Sequence, residues 1–184
     1  GLPEAFIIGE DFIGNDRVCL ILGDNIFYSD RFINQHVLPN INTDKSVIFG
    51  CRVSDPERYG VVELDQEFNI LSIEEKPRNP KSNFAVTGLY IFGSDVCQVA
   101  KNLIVSPRGE LEIVDVIKYY LARGELKLEA LGRGIAWLDT GTHESLLDAA
   151  NFIEVLENRQ GLEISCIEEI AYQKGWISDA QLKS

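Results

Sequence analysis

Val18-Cys19-Leu20-Ile21-Leu22-Gly23-Asp24-Asn25 is the stretch that decides the fold. Its apolar run, bounded by Arg17 and Gly23, is continuous rather than alternating, so it reads as a strand buried on both faces. Such a strand belongs inside a partly parallel sheet, and open sheets of that kind gather ligand groups at the carboxyl ends of their strands. Gly23-Asp24-Asn25 falls at that end. A carboxylate there can bind Mg²⁺ while Gly23 lets backbone approach a ligand. Capping of the next turn is the alternative role for Asp24.

Before this strand, Leu2, Ala5, Phe6, Ile8, Phe12 and Ile13 recur at three- and four-residue spacings, which predicts an amphipathic helix over 2–13. After it, strands are predicted over 46–52, 61–64, 70–75 and 85–92, separated by turn-rich stretches such as Asp55-Pro56-Glu57 and Arg78-Asn79-Pro80. Residues 65–69 read as a hairpin connection. Helices are expected over 95–102 and 112–123, the second closed by Gly124. A strand over 127–131 leads through Gly132-Arg133-Gly134 to another over 136–139. The tail has helix-start signals and no strand. Thr142 can cap a long helix over 143–160 that stops at Gly161, and Ser165 with Glu168 and Ser178 with Gln181 each suggest a capping box. The expectation is an α/β body over 1–141 and a helical appendage over 142–184.

The 184 residues carry a net charge of −12 and a pI near 4.6. That balance argues against nucleic acid or an anionic membrane surface as partners, since both require surplus Lys and Arg. A small anion can still be held by a local basic pair. No apolar run reaches the length of a membrane span, so a cytoplasmic location is expected. Cys19, Cys51, Cys97 and Cys166 are scattered without a Cys-x-x-Cys pair and read as reduced structural thiols. His36 and His143, far apart, read as surface or helix-start residues rather than metal ligands. The chain opens on Gly1-Leu2-Pro3 and contains no Met, which suggests a piece of a longer protein.

Several other spans can carry chemistry. Trp137-Leu138-Asp139-Thr140-Gly141-Thr142 repeats the pattern of strand, acid and turn, so Asp139 is either a second metal ligand or has an Asx-turn or helix-start role. Two strand-end carboxylates suit Mg²⁺, which keeps waters and takes further ligands from substrate phosphates. In Ile73-Glu74-Glu75-Lys76-Pro77 the proline ends the ladder; Lys76 can then aim at a phosphate and Glu75 can accept from sugar hydroxyls, unless the segment is a solvated charge run. Arg108, in Ser106-Pro107-Arg108-Gly109-Glu110-Leu111-Glu112, has a fork suited to a phosphate, or alternatively pairs with Glu110 or Glu112. Gly60 and Gly88 sit where either a ligand or close packing excludes bulk.

Taken in order, Leu22-Gly23-Asp24-Asn25, Asp55 to Val62, Glu74-Glu75-Lys76-Pro77, Val86-Thr87-Gly88-Leu89-Tyr90, Arg108 to Glu112 and Trp137 to Thr142 resemble the sugar nucleotidylyltransferases, most closely the glucose-1-phosphate thymidylyltransferases. The resemblance extends into the tail, through Arg159-Gln160-Gly161-Leu162 and Glu168 to Tyr172. It implies an α/β fold with a mixed, largely parallel, Rossmann-like sheet of the glycosyltransferase-A type and helices on both faces. It implies conversion of dTTP and glucose 1-phosphate to dTDP-glucose and pyrophosphate with Mg²⁺, in the supply of dTDP-rhamnose for cell-surface polysaccharide such as lipopolysaccharide. Asp24 and Asp139 would hold the metal, and Lys76 and Arg108 the sugar phosphate. Tyr59, Gly60, Glu75, Val86, Tyr90 and Trp137 would line the sugar pocket, and Gly1 and Leu2 would touch the base.

The sequence departs from the family in two ways. The family's Gly-rich loop, its Arg and a downstream Lys that wrap the triphosphate are absent, so this chain alone is expected to bind dTTP poorly and turn over little. Family members are homotetramers inhibited by dTDP-L-rhamnose, but Ser29 and Gln173 stand where Gly and Arg are expected, which puts that control in doubt. A metal-dependent glycosyltransferase is disfavoured by the lack of an Asp-x-Asp group beside Asp24. A noncatalytic assembly or ligand-sensing module is favoured by the missing loop and disfavoured by Asp24, Lys76, Arg108 and Asp139 together.

Overall fold

A computed structural model describes residues 1–183 and divides the chain into two compact units, Gly1–Trp137 and a second beginning at Leu138. The first unit opens on two short helices, α1 (Glu4–Ile8) and α2 (Glu10–Ile13), rather than the single helix expected, because the chain breaks at Gly9 between them. Strands β1 (Val18–Ile21) and β2 (Asn25–Tyr28) follow. A π-helical turn, Ile33–Val37, then runs into α3 (Leu38–Ile41). Neither β2 nor this helical segment was foreseen from the sequence. Next come β3 (Ser46–Arg52), β4 (Gly60–Leu64), β5 (Ile70–Glu75) and β6 (Phe84–Phe92). The unit continues through α4 (Val96–Lys101), α5 (Ile113–Ala122) and β7 (Leu126–Ala130), and ends within β8 (Ala136–Asp139).

The main sheet has the order β5-β4-β6-β3-β7, with β1 also on β6; β2 and β8 form a separate two-stranded sheet. The α/β class and the mixed sheet hold, but the sheet is not largely parallel. β3 and β7 run parallel, whereas β1, β3 and β4 each run antiparallel to β6, and β4 runs antiparallel to β5. The reason lies in the connections: the hairpin through Asp65, whose carboxylate accepts from the Glu67 and Asn69 backbone N–H groups, can only return the chain antiparallel. β1 also departs from expectation. Cys19 and Ile21 are exposed, so this strand buries one side only in this chain.

β6 is the strand buried on both faces, at every one of its positions. Val86, Tyr90 and Phe92 point to one core with Ile48 of β3, covered by Phe6, Val96, Val99, Val114, Ile117 and Tyr120 from the helices. Leu89 and Ile91 point to the other with Val47 and Phe49, covered by Phe32 and Val37. Helices therefore lie on both faces. The β3–β6 register slips between Ile48 and Gly50, and the Thr87 hydroxyl donates to the Phe49 carbonyl at 3.0 Å there. A buried carbonyl at the irregularity thus has a side-chain donor.

The second core has a polar seam as well. His36 Nδ1 lies 3.0 Å from Glu129 Oε1, Asn40 donates to Glu129 Oε2 at 3.1 Å, and Lys127 donates to Asn40 Oδ1 at 2.6 Å. His36 is thus half-buried against β7 rather than a surface residue. Burial would raise the Glu129 pKa, but the hydrogen bonds from His36 and Asn40 outweigh it and hold the carboxyl below its ordinary range.

In the second unit, Thr142 caps α6 (His143–Gln160) by accepting from the Ser145 N–H, and Gly161 closes it at φ 67°. The box at Ser178 and Gln181 is formed at the start of α8 (Asp179–Leu182). The one expected at Ser165 is not: Ser165 has φ 57° and α7 (Ile167–Gln173) starts two residues later, with no side-chain cap. All four cysteines are free thiols, Cys97 buried and Cys19 exposed.

Tyr120 ties α5 to the start of α4. Its ring stacks on Phe92 at 5.6 Å and its hydroxyl donates to Asp95 Oδ1 at 2.8 Å. Tyr120→Phe keeps the ring and loses one partly buried hydrogen bond, so urea denaturation is expected to show a loss of about 1 kcal/mol. No change in midpoint would mean that water replaces the bond at no cost.

Candidate functional site

Glu75 is the focus of the first unit's chemistry. It ends β5 opposite Gly60, the first residue of β4. A Cβ placed on Gly60 would stand 3.3 Å from Val114 Cγ2, 3.5 Å from Glu75 Oε2 and 3.8 Å from Val86 Cβ. The absent side chain therefore leaves a small space where β4, β5, β6 and α5 meet, with a carboxylate at its edge.

Arg108 reaches the same carboxylate from the loop before α5. Its Nη1 is 3.7 Å from Glu75 Oε1 and 3.6 Å from Glu112 Oε1, and its Nη2 is 3.4 Å from Glu110 Oε1. The loop is a tight one: Ser106 Oγ donates to Glu112 Oε1 at 2.8 Å and accepts from the Arg108 N–H at 3.2 Å, while Gly109 takes φ 81°. The pairing with Glu110 and Glu112 foreseen as the alternative is present together with the reach toward Glu75. Lys76 follows Glu75 with φ 43°, a left-handed conformation uncommon for a side-chain-bearing residue, and its N–H donates to the Tyr59 carbonyl at 2.9 Å. The strand thus ends at Glu75, and Pro77, without an N–H, cannot donate to a continuing ladder.

Burial pushes the Glu75 carboxyl above its ordinary range; Lys76 and Arg108 pull it down and Glu112 pushes it up, with burial winning. Both candidate phosphate-binding cations therefore act on one half-buried carboxylate. Gly1 and Leu2 lie beside this loop, since a Cβ on Gly1 would collide with the Leu111 carbonyl.

A second group of residues stands around Asp24. Asn25 Nδ2 donates to Asp24 Oδ1 at 2.8 Å, and Asn25 Oδ1 accepts from the Gly88 N–H at 2.9 Å and from Trp137 Nε1 at 2.6 Å. Trp137 packs against Tyr59 with ring centroids 5.0 Å apart, and the Arg58 guanidinium lies 5.3 Å from the Tyr59 centroid. Tyr90 joins the two groups. Burial first, then the negative charges of Glu75 and Asp24, push its phenol well above the ordinary range. Asp24, Glu75, Tyr90, Gly60, Val86, Lys76 and Arg108 are accordingly brought to one region, with Trp137 and Tyr59 linked to it.

Asp139 belongs to the second unit. There it accepts from the Gly141 N–H at 3.3 Å, in the turn that precedes the Thr142 cap. Hard oxygen donors such as the Asp24 carboxylate, in a region where Glu75 adds negative charge, have the chemistry that Mg²⁺ takes. Among the described residues no three His, Cys, Asp or Glu side chains form an all-protein metal cage. Asn25 carries no local sequence signal of a role, because its contacts to Gly88 and Trp137 span 63 and 112 residues. Glu112 was read only as a partner of Arg108.

Raised above its unfolded value, the Glu75 pKa means that the folded chain holds this proton more tightly. Stability from that proton is present below the unfolded pKa and lost as pH rises through the folded one. Carboxyl-carbon NMR is expected to place the Glu75 midpoint above that of an ordinary glutamate, and Glu75→Gln to flatten the pH dependence of stability in that window. A midpoint at or below the ordinary value would contradict the burial argument.

The nucleotidyl transferase family model matches residues 1–155. The chain is 53% identical over 183 residues to a glucose-1-phosphate thymidylyltransferase of Neisseria meningitidis, which covers 100% of this chain and 64% of that protein. It is 50% identical to the protein of that name from Mycobacterium tuberculosis, covering 99% of this chain and 63% of the relative. Among solved structures, a Bacillus anthracis protein assigned as a glucose-1-phosphate thymidylyltransferase, crystallised with a sucrose, matches with TM-score 0.69 at 42% identity, over 83% of this chain and 60% of that one. An apo UDP-glucose pyrophosphorylase shares the fold with TM-score 0.72 at 24% identity, over 86% of this chain and 61% of that one. With the family model covering most of its length, the chain belongs to the nucleotidyl transferase family.

Proposed function

We propose that this chain is the sugar-phosphate-binding part of a glucose-1-phosphate thymidylyltransferase, which joins dTTP and glucose 1-phosphate into dTDP-glucose and releases pyrophosphate. The observation that carries the reading is the Glu75 carboxylate at the edge of the space beside Gly60 and Val86, with the Arg108 guanidinium 3.7 Å from it. The chain spans 64% of the length of the Neisseria meningitidis relative, so the activity proposed is that of the whole protein.

In this reading Glu75 accepts from the sugar hydroxyls, and its burial makes each such bond worth more than in water. Gly60 leaves room for the ring, with Val86 and Tyr90 beneath it and the Trp137 and Tyr59 rings at its side. Arg108 exchanges its weak contacts to Glu75 and Glu110 for the phosphate, and Lys76 supplies a second cation. Held this way, a phosphate oxygen attacks the α-phosphorus of dTTP in line; a new P–O bond forms as the bond to pyrophosphate breaks. Mg²⁺, held by Asp24 and Asp139, would neutralise the phosphate charge when bound. The protein's own contribution is positioning and charge balance. A cytoplasmic location, a homotetrameric whole enzyme, a place in dTDP-rhamnose supply and inhibition by dTDP-rhamnose belong to the same proposal.

Calorimetric titration with glucose 1-phosphate tests the site in this chain. Arg108→Ala and Lys76→Ala each remove a charge-assisted contact worth about 1.5–3 kcal/mol, so each is expected to weaken binding roughly 10- to 100-fold. Unaltered affinity in both variants would remove these residues from the phosphate site. In the whole protein, Asp139→Ala is expected to abolish metal-dependent turnover with little change in unfolding midpoint; full turnover would take Asp139 out of the metal site.

A further inference from the structure

We propose that Asn25 is a positioning residue whose amide holds the Asp24 carboxylate and the Trp137 indole in one hydrogen-bonded unit, so that the cation-binding and sugar-binding sides of the pocket are set together. The inference rests on the reading of Asp24 as a cation ligand given above.

A side-chain amide offers one oxygen with two lone pairs and two N–H donors. Both acceptor directions of Asn25 Oδ1 are occupied, by the Gly88 N–H at 2.9 Å and the Trp137 Nε1–H at 2.6 Å. That assignment fixes which end of the amide is which. Nitrogen must face the Asp24 carboxylate, and it does, at 2.8 Å. Turning the amide over would set Nδ2 against two N–H donors and oxygen against a carboxylate, losing three bonds at once.

The space around the amide enforces the arrangement. A Cβ on Gly88 would lie 2.6 Å from Asn25 Cγ and 2.7 Å from both Nδ2 and Oδ1, so the amide rests on bare backbone of β6. β6 is buried throughout and cannot yield. Trp137, itself packed against Tyr59, holds the amide oxygen as well. A movement of the indole as a sugar docks would therefore be passed to the Asp24 carboxylate through the amide. No other common side chain supplies this set. Aspartate could accept both N–H bonds but would face Asp24 with like charge, and serine is too short to span Gly88, Trp137 and Asp24 together. A ligand carboxylate oriented by a fixed N–H donor is the outer-shell arrangement that sharpens cation affinity.

The test uses this chain with Trp176→Phe, which leaves Trp137 as the sole tryptophan, since the sequence holds two. Mn²⁺ binding is read by electron paramagnetic resonance and Mg²⁺ binding by Trp137 emission. Asn25→Ala is expected to weaken Mn²⁺ roughly tenfold and to abolish the emission change that Mg²⁺ produces. Trp137→Phe removes the indole N–H yet touches no cation, and is expected to weaken Mn²⁺ severalfold. The two together should cost no more than Asn25→Ala alone, the non-additivity of one connected unit. Full Mn²⁺ affinity in Asn25→Ala, with affinity lost in Asp24→Asn, overturns the positioning role and leaves Asp24 as a ligand. Full affinity in Asp24→Asn overturns the reading of Asp24, and this proposal with it. Should Asn25→Ala lose its circular-dichroism signature of folding, Trp137→Phe decides: unaltered Mn²⁺ affinity there overturns the proposal.

Discussion

A strand that is dry on both faces is the constraint on which the rest depends. β6 has no position in water, so each of its peptide groups needs a partner from the neighbouring strands or from a side chain. β1, β3 and β4 supply the ladders, and Thr87 repairs the slip at Phe49. The same strand gives the site its floor. Val86, Gly88 and Tyr90 share one face by the two-residue period of a strand, and they meet the Gly60 space, the Asn25 amide and the two carboxylates in turn. Fold and site are thus not separable here; the residues that bury the strand also shape the pocket.

The charge arrangement near Glu75 explains how an acidic protein can bind a sugar phosphate. The net charge of −12 is spread widely, and Lys76 and Arg108 form a local exception. Arg108 does not wait bare. Its three carboxylate contacts, at 3.4 to 3.7 Å, are longer than strong charge-assisted hydrogen bonds, which lie near 2.7–2.9 Å. The guanidinium is oriented without being saturated, and a phosphate offering bidentate geometry has the advantage.

Much of this was legible in the sequence because local rules governed it. β3 and β5 fall where turn residues and apolar runs placed them, and the Thr142 cap and Gly161 stop bound α6 as their side chains dictate. What local rules do not contain was missed. The run 18–22 read as the doubly buried strand, yet that property belongs to β6, because burial depends on which strands flank a segment rather than on its own composition. β2, at four residues, is too short for a strand period to show, the π-helical turn at Ile33–Val37 has no sequence period of its own, and both are held by Phe32 stacking on Phe27 and by the Glu129 seam. Ser165 has the residue type of a cap, but its left-handed backbone puts the helix start beyond reach. In the site, Glu75, Lys76 and Arg108 announced themselves by residue type. Asn25 did not, since an asparagine after an aspartate is ordinary until Gly88 and Trp137 are seen to meet it.

The left-handed backbone of Lys76 has a thermodynamic consequence. Such a conformation costs on the order of 1–3 kcal/mol for a residue with a side chain, and that cost is already met in the folded chain by the Tyr59 carbonyl contact and by the burial of Pro77. An arriving anion does not have to order this segment of main chain. The entropy of fixing it has been spent during folding, so more of the intrinsic attraction appears as measured affinity.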